Sequence, residues 1–296
     1  MKALIGLIWL LHWLPLPLLG RLGEALGSLL YVIMTPRRRI CLTNLALCFP
    51  ELGEAARVDI ARQHFQAYAR SALERGVLWW APESRLKKLI RVDGELPLEQ
   101  LGSNPSILLC PHFVALEVPG IALVLNSELS VCTIYAQQKN KIVDEALLKG
   151  RSRFRPVTLL TRTQGVKPII RAMREGKPFI MLPDMDFGLR DAEFVPFFGI
   201  PAATLTAPAR IAAATGANVI PVIARYLPNY QGWQVTFYPA WDNFPGPDIT
   251  DATRRMNAFI EARARETPAE YFWTHKRFKT RPPGMPDLYG PESPDL

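Results

Sequence analysis

Two short strings place acid and base groups where an apolar stretch ends. The first is PHFVALE, in which His112 and Glu117 follow the strand-like run SILLC. An imidazole that titrates near neutrality can take the proton of an alcohol as it attacks, and a carboxylate behind it fixes the tautomer and stabilises the imidazolium. The string therefore reads as a general base, His112, oriented by Glu117, with no covalent acyl-enzyme required. Alone the spacing is weak, because such pairs arise by chance and a histidine at a strand end can simply satisfy backbone groups. The second string is LPDMDFG, where Asp184 and Asp186 follow another apolar run. Two carboxylates one residue apart could hold a metal, but no His or Cys cluster accompanies them in sequence, and an Asx-type turn is the plainer reading. The third, KGRSRFR, alternates Arg151, Arg153 and Arg155 just after a helical stretch. Guanidinium groups bind phosphate or carboxylate in a bidentate manner, which suits an anionic substrate; a solvated basic loop is the alternative.

These groups need a frame. SILLCP at 106 to 111 and KPFIMLP at 177 to 183 read as strands, with LSVCTIYA at 129 to 136 and VTLL at 157 to 160 between them. Helical runs at 112 to 125, 140 to 150 and 166 to 176 separate the strands, so the chain alternates strand and helix. That alternation predicts an α/β fold with a largely parallel central sheet flanked by helices. Ligands in such sheets bind beyond the carboxyl ends of the strands, where His112 and Asp184 fall. Upstream, residues 54 to 80 carry apolar side chains at helical spacing; downstream, ATLTAPARIAAATG reads as a helix with Thr204 or Thr206 near its start. NVIPVIARY and WQVTFYPA predict two more strands and residues 251 to 266 a last helix. If His112 and Glu117 shared one regular helix they would lie roughly 140° apart around it, too far for a direct hydrogen bond. The expected geometry is therefore a turn at His112, regular helix from near Val114, and Glu117 reaching back to one ring nitrogen.

The 296 residues include 35 Lys plus Arg against 27 Asp plus Glu, a net charge of +8, and 49% are hydrophobic. This composition excludes disorder as the main theme and favours an anionic partner. Residues 3 to 20 carry no formal charge, and 18 helical residues reach about 27 Å against a hydrocarbon core of about 30 Å. Pro15 and Pro17 should end or kink the first helix, and Arg37, Arg38 and Arg39 follow the second. We read 1–39 as a membrane anchor with a basic cytoplasmic flank, 40–281 as the α/β domain, and 282–296 as a proline-rich extended tail. The four cysteines lack metal or disulfide spacing, and no HExxH, GxSxG, GxGxxG or Walker A string occurs.

Five strings, NLALCFPE, PHFVALE, GRSRFR, PDMDFG with FVPFFG after it, and WTHKRFKTRPPG, fall in the order found in late acyltransferases of lipid A biosynthesis. The chain resembles that lauroyl and myristoyl transferase family, within the lysophospholipid acyltransferase superfamily, from the anchor to about Tyr289. The resemblance implies a glycerolipid acyltransferase-like fold, a HxxxxD/E motif on His112 and Glu117, a functional arginine at Arg151 and an acidic position at Asp184. Met185 stands where many members have a polar side chain. The implied reaction moves an acyl group from a thioester, on acyl carrier protein or coenzyme A, to a hydroxyl of a lipid A precursor at the cytoplasmic face of the inner membrane. No metal, cofactor or nucleic acid is implied. In this reading Arg151 binds a phosphate of donor or acceptor, Asp184 positions the acceptor or Arg151, and Arg153 and Asp186 are further substrate-binding positions. The alternatives are another glycolipid or lysophospholipid acceptor, and a non-catalytic membrane-surface protein of the same fold.

Overall fold

A computed structural model describes residues 2–94 and 101–290. The chain opens with four helices, Lys2–Leu11 (α1), Leu16–Ile33 (α2), Thr35–Cys48 (α3) and Glu54–Trp80 (α4). Pro15 sits at the break between α1 and α2, where its fixed φ suits entry to a helix. In α4 the buried Ala61, Phe65 and Ala69 recur four residues apart, so one stripe faces the core along its first half. Glu83–Leu89 (α5) then leads into Ile90–Asp93 (β1).

The remaining elements are Ser106–Leu109 (β2), Val118–Asn126 (α6), Val131–Ile134 (β3), Lys141–Arg151 (α7), Val157–Leu160 (β4), Lys167–Arg174 (α8) and Phe179–Met181 (β5). After them come Ala192–Phe197 (β6), Ile200–Leu205 (β7), Ala207–Thr215 (α9), Asn218–Tyr226 (β8), Trp233–Phe237 (β9) and Ile249–Glu266 (α10). Seven strands form one sheet in the order β1-β9-β8-β2-β5-β3-β4, and among the described residues every neighbouring pair is parallel except β8 with β9. The α/β fold with its largely parallel sheet is thus as the alternation predicts.

Crossover direction explains the layering. The connections β2-α6-β3 and β3-α7-β4 advance the same way across the sheet, whereas β4-α8-β5 steps back. Right-handed crossovers must then put α6 and α7 on one face and α8 on the other. The two apolar cores agree. One contains Ile121, Val124 and Leu147 from α6 and α7 with Leu108 and Cys110, and the other contains Ile169 and Met173 from α8 with Ile107 and Leu109. Alternate residues of β2 thus serve opposite faces, and all four of its residues are buried.

Several details depart from the sequence reading. Regular helix after His112 starts at Val118, not near Val114, because the Val114 amide donates to the Glu270 carbonyl (2.8 Å) and Phe113 bridges to Tyr271. Those backbone groups are committed to a distant segment before a helix can use them. β6 and β7 form a separate antiparallel hairpin, closed by Phe198 and Gly199, both at positive φ, as a two-residue hairpin turn requires. Thr204 consequently lies in β7, and Thr206 precedes α9, which ends at Gly216 in the left-handed region. Residues 282–290 contain neither helix nor strand, and the Tyr289 hydroxyl fastens them by donating to Asn44 and accepting from the Phe278 amide. The remainder of the proline-rich stretch, 291–296, lies outside the described residues.

Candidate active site

β2 and β5 are neighbours, with Ile107 opposite Phe179, Leu108 opposite Ile180 and Leu109 opposite Met181. Three more residues along each chain bring His112 opposite Asp184. Pro111 and Pro183 precede them identically, ending both strands at one level. The side chains meet there: His112 Nδ1 lies 2.7 Å from Asp184 Oδ1, and the His112 amide donates to Oδ1 at 3.2 Å and Oδ2 at 3.0 Å. Asp184 is fully buried. Burial alone would raise its carboxyl, but the His112 charge and hydrogen bonds outweigh that and hold it at about 2, below its ordinary 3.8. A carboxylate here accepts from Nδ1–H, which leaves Nε2 as the ring nitrogen with a free lone pair.

The expected His112–Glu117 contact is replaced by this one. Residues 114 to 117 form a turn, so Glu117 stands at the first position before α6 and points across to α7. There Arg151 donates from Nε to Oε2 at 3.0 Å and from Nη2 to Oε1 at 2.5 Å, a bidentate pair. Burial pushes the Glu117 carboxyl up, yet the Arg151 charge and hydrogen bonds leave it below its ordinary value. The orienting carboxylate of His112 is therefore Asp184, and the arginine read as a phosphate ligand is already neutralised by Glu117. A parallel register fixes the first pairing, whereas HxxxxE spacing along one segment cannot enforce the second.

The other two positions are spent inside the protein. Asp186 accepts from the amides of Gly188 (2.9 Å) and Thr280 (2.6 Å) and from the Thr280 hydroxyl (2.7 Å), anchoring the segment after residue 276. Arg153 donates to the Ala81 carbonyl and lies against the Phe154 ring.

A cavity of about 770 Å³ opens beside His112. Leu116, Glu117, Gly120, Ile121 and Val124 line it from the turn and one face of α6, with Val131 and Thr133 from β3, Leu147 and Arg151 from α7, and Val157 from β4. Depth follows from two elements independently. Seven helical residues from Glu117 to Val124 rise about 10 Å, and the extended stretch from Ile134 back to Val131 covers about 10 Å. The result is a mainly apolar slot running from the carboxyl ends of the strands toward their amino ends. At the mouth, Met185 and Phe187 face Thr161, Arg162 and Thr163. Arg162 lies 3.4 Å above the centre of the Phe187 ring and has no carboxylate partner among the described residues. The sequence reading missed Arg162, whose only signal was its place just after the strand VTLL.

Behind His112 the C-terminal string YFWTH forms a brace. The Phe272 amide donates to the His112 carbonyl (2.9 Å), and its ring stacks on the imidazole with centroids 6.4 Å apart. His275 stacks on Phe272 in turn, at 5.7 Å, and is held by the Phe272 carbonyl. Among the described residues no group of His, Cys, Asp and Glu is arranged to hold a metal ion. Cys110, two residues before His112, is buried, and burial raises its thiol far above the range in which it would supply a thiolate.

Known proteins are similar to this chain over nearly its whole length. The profile of the bacterial lipid A biosynthesis acyltransferases matches residues 2–280. The lipid A biosynthesis lauroyltransferase of Escherichia coli K12 is 32% identical over 288 residues, 96% of this chain and 93% of that protein. The palmitoleoyltransferase of the same organism is 28% identical over 288 residues, covering 96% and 92%. Its myristoyltransferase is 30% identical over 270 residues, covering 90% and 82%. With the profile spanning all but the two ends, the protein belongs to the bacterial lipid A biosynthesis acyltransferase family.

Proposed function

We propose that this acyltransferase moves a fatty acyl group from a thioester, carried by acyl carrier protein, to a hydroxyl of a lipid A precursor, working at the cytoplasmic face of the inner membrane. The observation that carries the mechanism is His112, with Nδ1 committed to buried Asp184 and its ring lining an apolar slot. In this mechanism Nε2 removes the acceptor hydroxyl proton as the oxygen attacks the thioester carbonyl. The tetrahedral intermediate then expels the thiol sulfur, which takes that proton back from the imidazolium. Asp184 stabilises the imidazolium between the two transfers. A thioester has a good leaving group, so positioning and deprotonation are the protein's main contributions.

The slot suits the acyl chain. Extended carbon chains advance about 1.3 Å per atom from bonds of about 1.5 Å, so its depth accepts roughly eight carbons below the level of Glu117. The Glu117–Arg151 pair ties the start of α6 to the end of α7 and so sets the width of the slot. Arg162 is the cation left for a substrate phosphate, on the donor's pantetheine arm or on the acceptor. Acyl carrier protein is acidic as a class, and a chain of net charge +8 favours it as the donor.

The test is incubation of the full-length protein with acyl carrier protein thioesters and a panel of lipid acceptors, followed by mass spectrometry. One added acyl mass on the lipid A precursor supports the proposal. Transfer only to another glycolipid or a lysophospholipid refutes the acceptor, and a folded protein that binds vesicles without transferring refutes catalysis.

A further inference from the structure

α2 is apolar on the wrong side for a helix of a soluble core. Its buried residues are Leu16, Leu19, Gly20, Gly23, Gly27 and Tyr31, a seam dominated by glycine. The opposite face presents Leu18, Leu22, Ala25, Leu29 and Val32 to the outside at spacings of three and four, one continuous stripe rising about 21 Å. Trp9 and Trp13 extend the apolar surface from α1, with Trp13 66% exposed. Lys2, Arg21, Arg37 and Arg39 are exposed along the same segment. An apolar stripe with aromatic residues at one end and cations along it matches the surface of a bilayer carrying anionic headgroups.

By length and composition α2 could cross a membrane. Its packing says otherwise. The seam lies directly on the backbone of α4: a Cβ at Gly23 would sit 2.7 Å from Arg70 Cα, and one at Gly27 would strike Gln66 Cα and the Phe65 carbonyl. Glu24, halfway along α2, accepts from the Tyr230 hydroxyl at 2.7 Å and lies 3.7 Å from Arg70, which also pairs with buried Glu74 at 3.1 Å. Arg70 stacks on Tyr226, at the end of a strand of the central sheet, 3.9 Å from its ring. A crossing α2 would carry this charged cluster, and the end of β8 with it, into the middle of the hydrocarbon, where ionisable groups are strongly disfavoured. α1 offers no alternative crossing, since ten residues reach only about 15 Å.

We propose that α1 and α2 dock the protein in the plane of a single leaflet of an anionic bilayer, apolar stripe down, without crossing it. This deepens the membrane attachment proposed above and is independent of the acyl transfer, so its failure and that of the catalytic proposal are read separately. The test uses the full-length protein on sealed phosphatidylethanolamine–phosphatidylglycerol vesicles. Single cysteines at Leu18, Leu22, Leu29 and Val32 carry an environment-sensitive fluorophore, and lipids spin-labelled at shallow or deep positions quench it. The native cysteines are all buried. Equal, shallow quenching at the four sites is expected, with Lys2→Cys and Glu175→Cys both modified from outside by an impermeant maleimide. A gradient of depth along α2, or Lys2→Cys modified only after the vesicles are opened, overturns the proposal. Labels that lipid-borne quenchers cannot reach, as when a second copy covers the stripe, overturn it too. The exposed double substitution Leu22→Asp with Leu29→Asp should leave the thermal midpoint within a few degrees and weaken vesicle binding at least tenfold. Unchanged binding by that variant also overturns it.

Discussion

Replacing Asp184 by Asn keeps shape and most hydrogen-bonding capacity while removing the charge that faces the imidazolium. Although burial raises it, the His112 charge and hydrogen bonds hold the Asp184 carboxyl below its ordinary value, so this site favours the charged form next to the ring. A proton transfer assisted by a positioned group is typically worth about 10²- to 10⁴-fold, and this substitution removes the charge that faces the ring as positive charge develops on it. An amide can also present its NH2 to Nδ1 and favour the wrong tautomer, with losses approaching about 10⁴-fold when the tautomer is lost. The assay is steady-state transfer by the full-length enzyme from an acyl carrier protein thioester, with circular dichroism to confirm folding. kcat should fall by about two orders of magnitude or more while KM for each substrate stays within about threefold. A folded Asp184→Asn protein with near-normal kcat refutes the reasoning. So does a raised KM at unchanged kcat, which would make Asp184 a binding residue for the acceptor, as its sequence context first suggests.

Four further outcomes follow from the same geometry. Glu117→Gln leaves the Arg151 guanidinium facing a neutral group in a largely buried site and should destabilise the protein by about 3 kcal/mol in urea unfolding; Glu117→Gln with Arg151→Met should recover much of that, and strictly additive losses would show the pair is not coupled. Arg162→Ala should raise KM about tenfold for one phosphate-bearing substrate with little change in kcat, and Lys should rescue only in part; full rescue by Lys would indicate diffuse charge in place of a planar contact. Val124→Phe, at the deep end of the slot, should shift donor preference to chains about two carbons shorter in competition assays, and an unaltered product distribution removes the slot as the acyl site. Burial lowers His64 and His275 to about 4, below their ordinary 6.5, so the unfolded state binds more protons between those values and stability falls as pH drops through 6.5 toward 4. His64→Gln should therefore make the slope of unfolding free energy against pH shallower in that window; an unaltered slope excludes it.

Much of the frame was legible because it is local. The strands at 106 to 109, 157 to 160 and 179 to 181 are bounded by proline, glycine or charge, and α4 ends where the aromatic WW run meets Pro82. The hairpin of β6 and β7 was missed because Pro196 weakens its strand signal and the Phe-Gly turn is not a usual hairpin dipeptide; Pro196 is tolerated in a two-stranded ribbon, where a strand has a free edge. The site itself was half legible. His112 and Asp184 each follow an apolar run, yet the reading paired His112 with its near neighbour Glu117. The missing signal was present in LLCPH and IMLPD, two strand ends of matching length with proline at the same place. Adjacent parallel strands with that pattern put the residues after proline side by side. The brace from Phe272 could not be read this way, because it depends on a contact across 160 residues that no local pattern encodes.

α4 links the face proposed to dock on the membrane with the proposed acyl slot. Near its middle it receives the glycine seam of α2, and near its end Trp79 packs so closely on α7 that a Cβ at Gly150 would sit 2.5 Å from the indole. Gly150 is next to Arg151, which pairs with Glu117 in the lining of the cavity. One continuous helix thus connects the surface proposed to rest on the bilayer with the wall of the cavity proposed to hold the acyl chain. Its length is about 40 Å for 27 residues, and it runs unbroken between the two contacts. On the docking and the acyl site proposed above, the close glycine contacts at Gly23, Gly27 and Gly150 would help set the height of His112 over the leaflet. Enlarging any of them should misplace the base relative to the leaflet before it disturbs the His112–Asp184 pair.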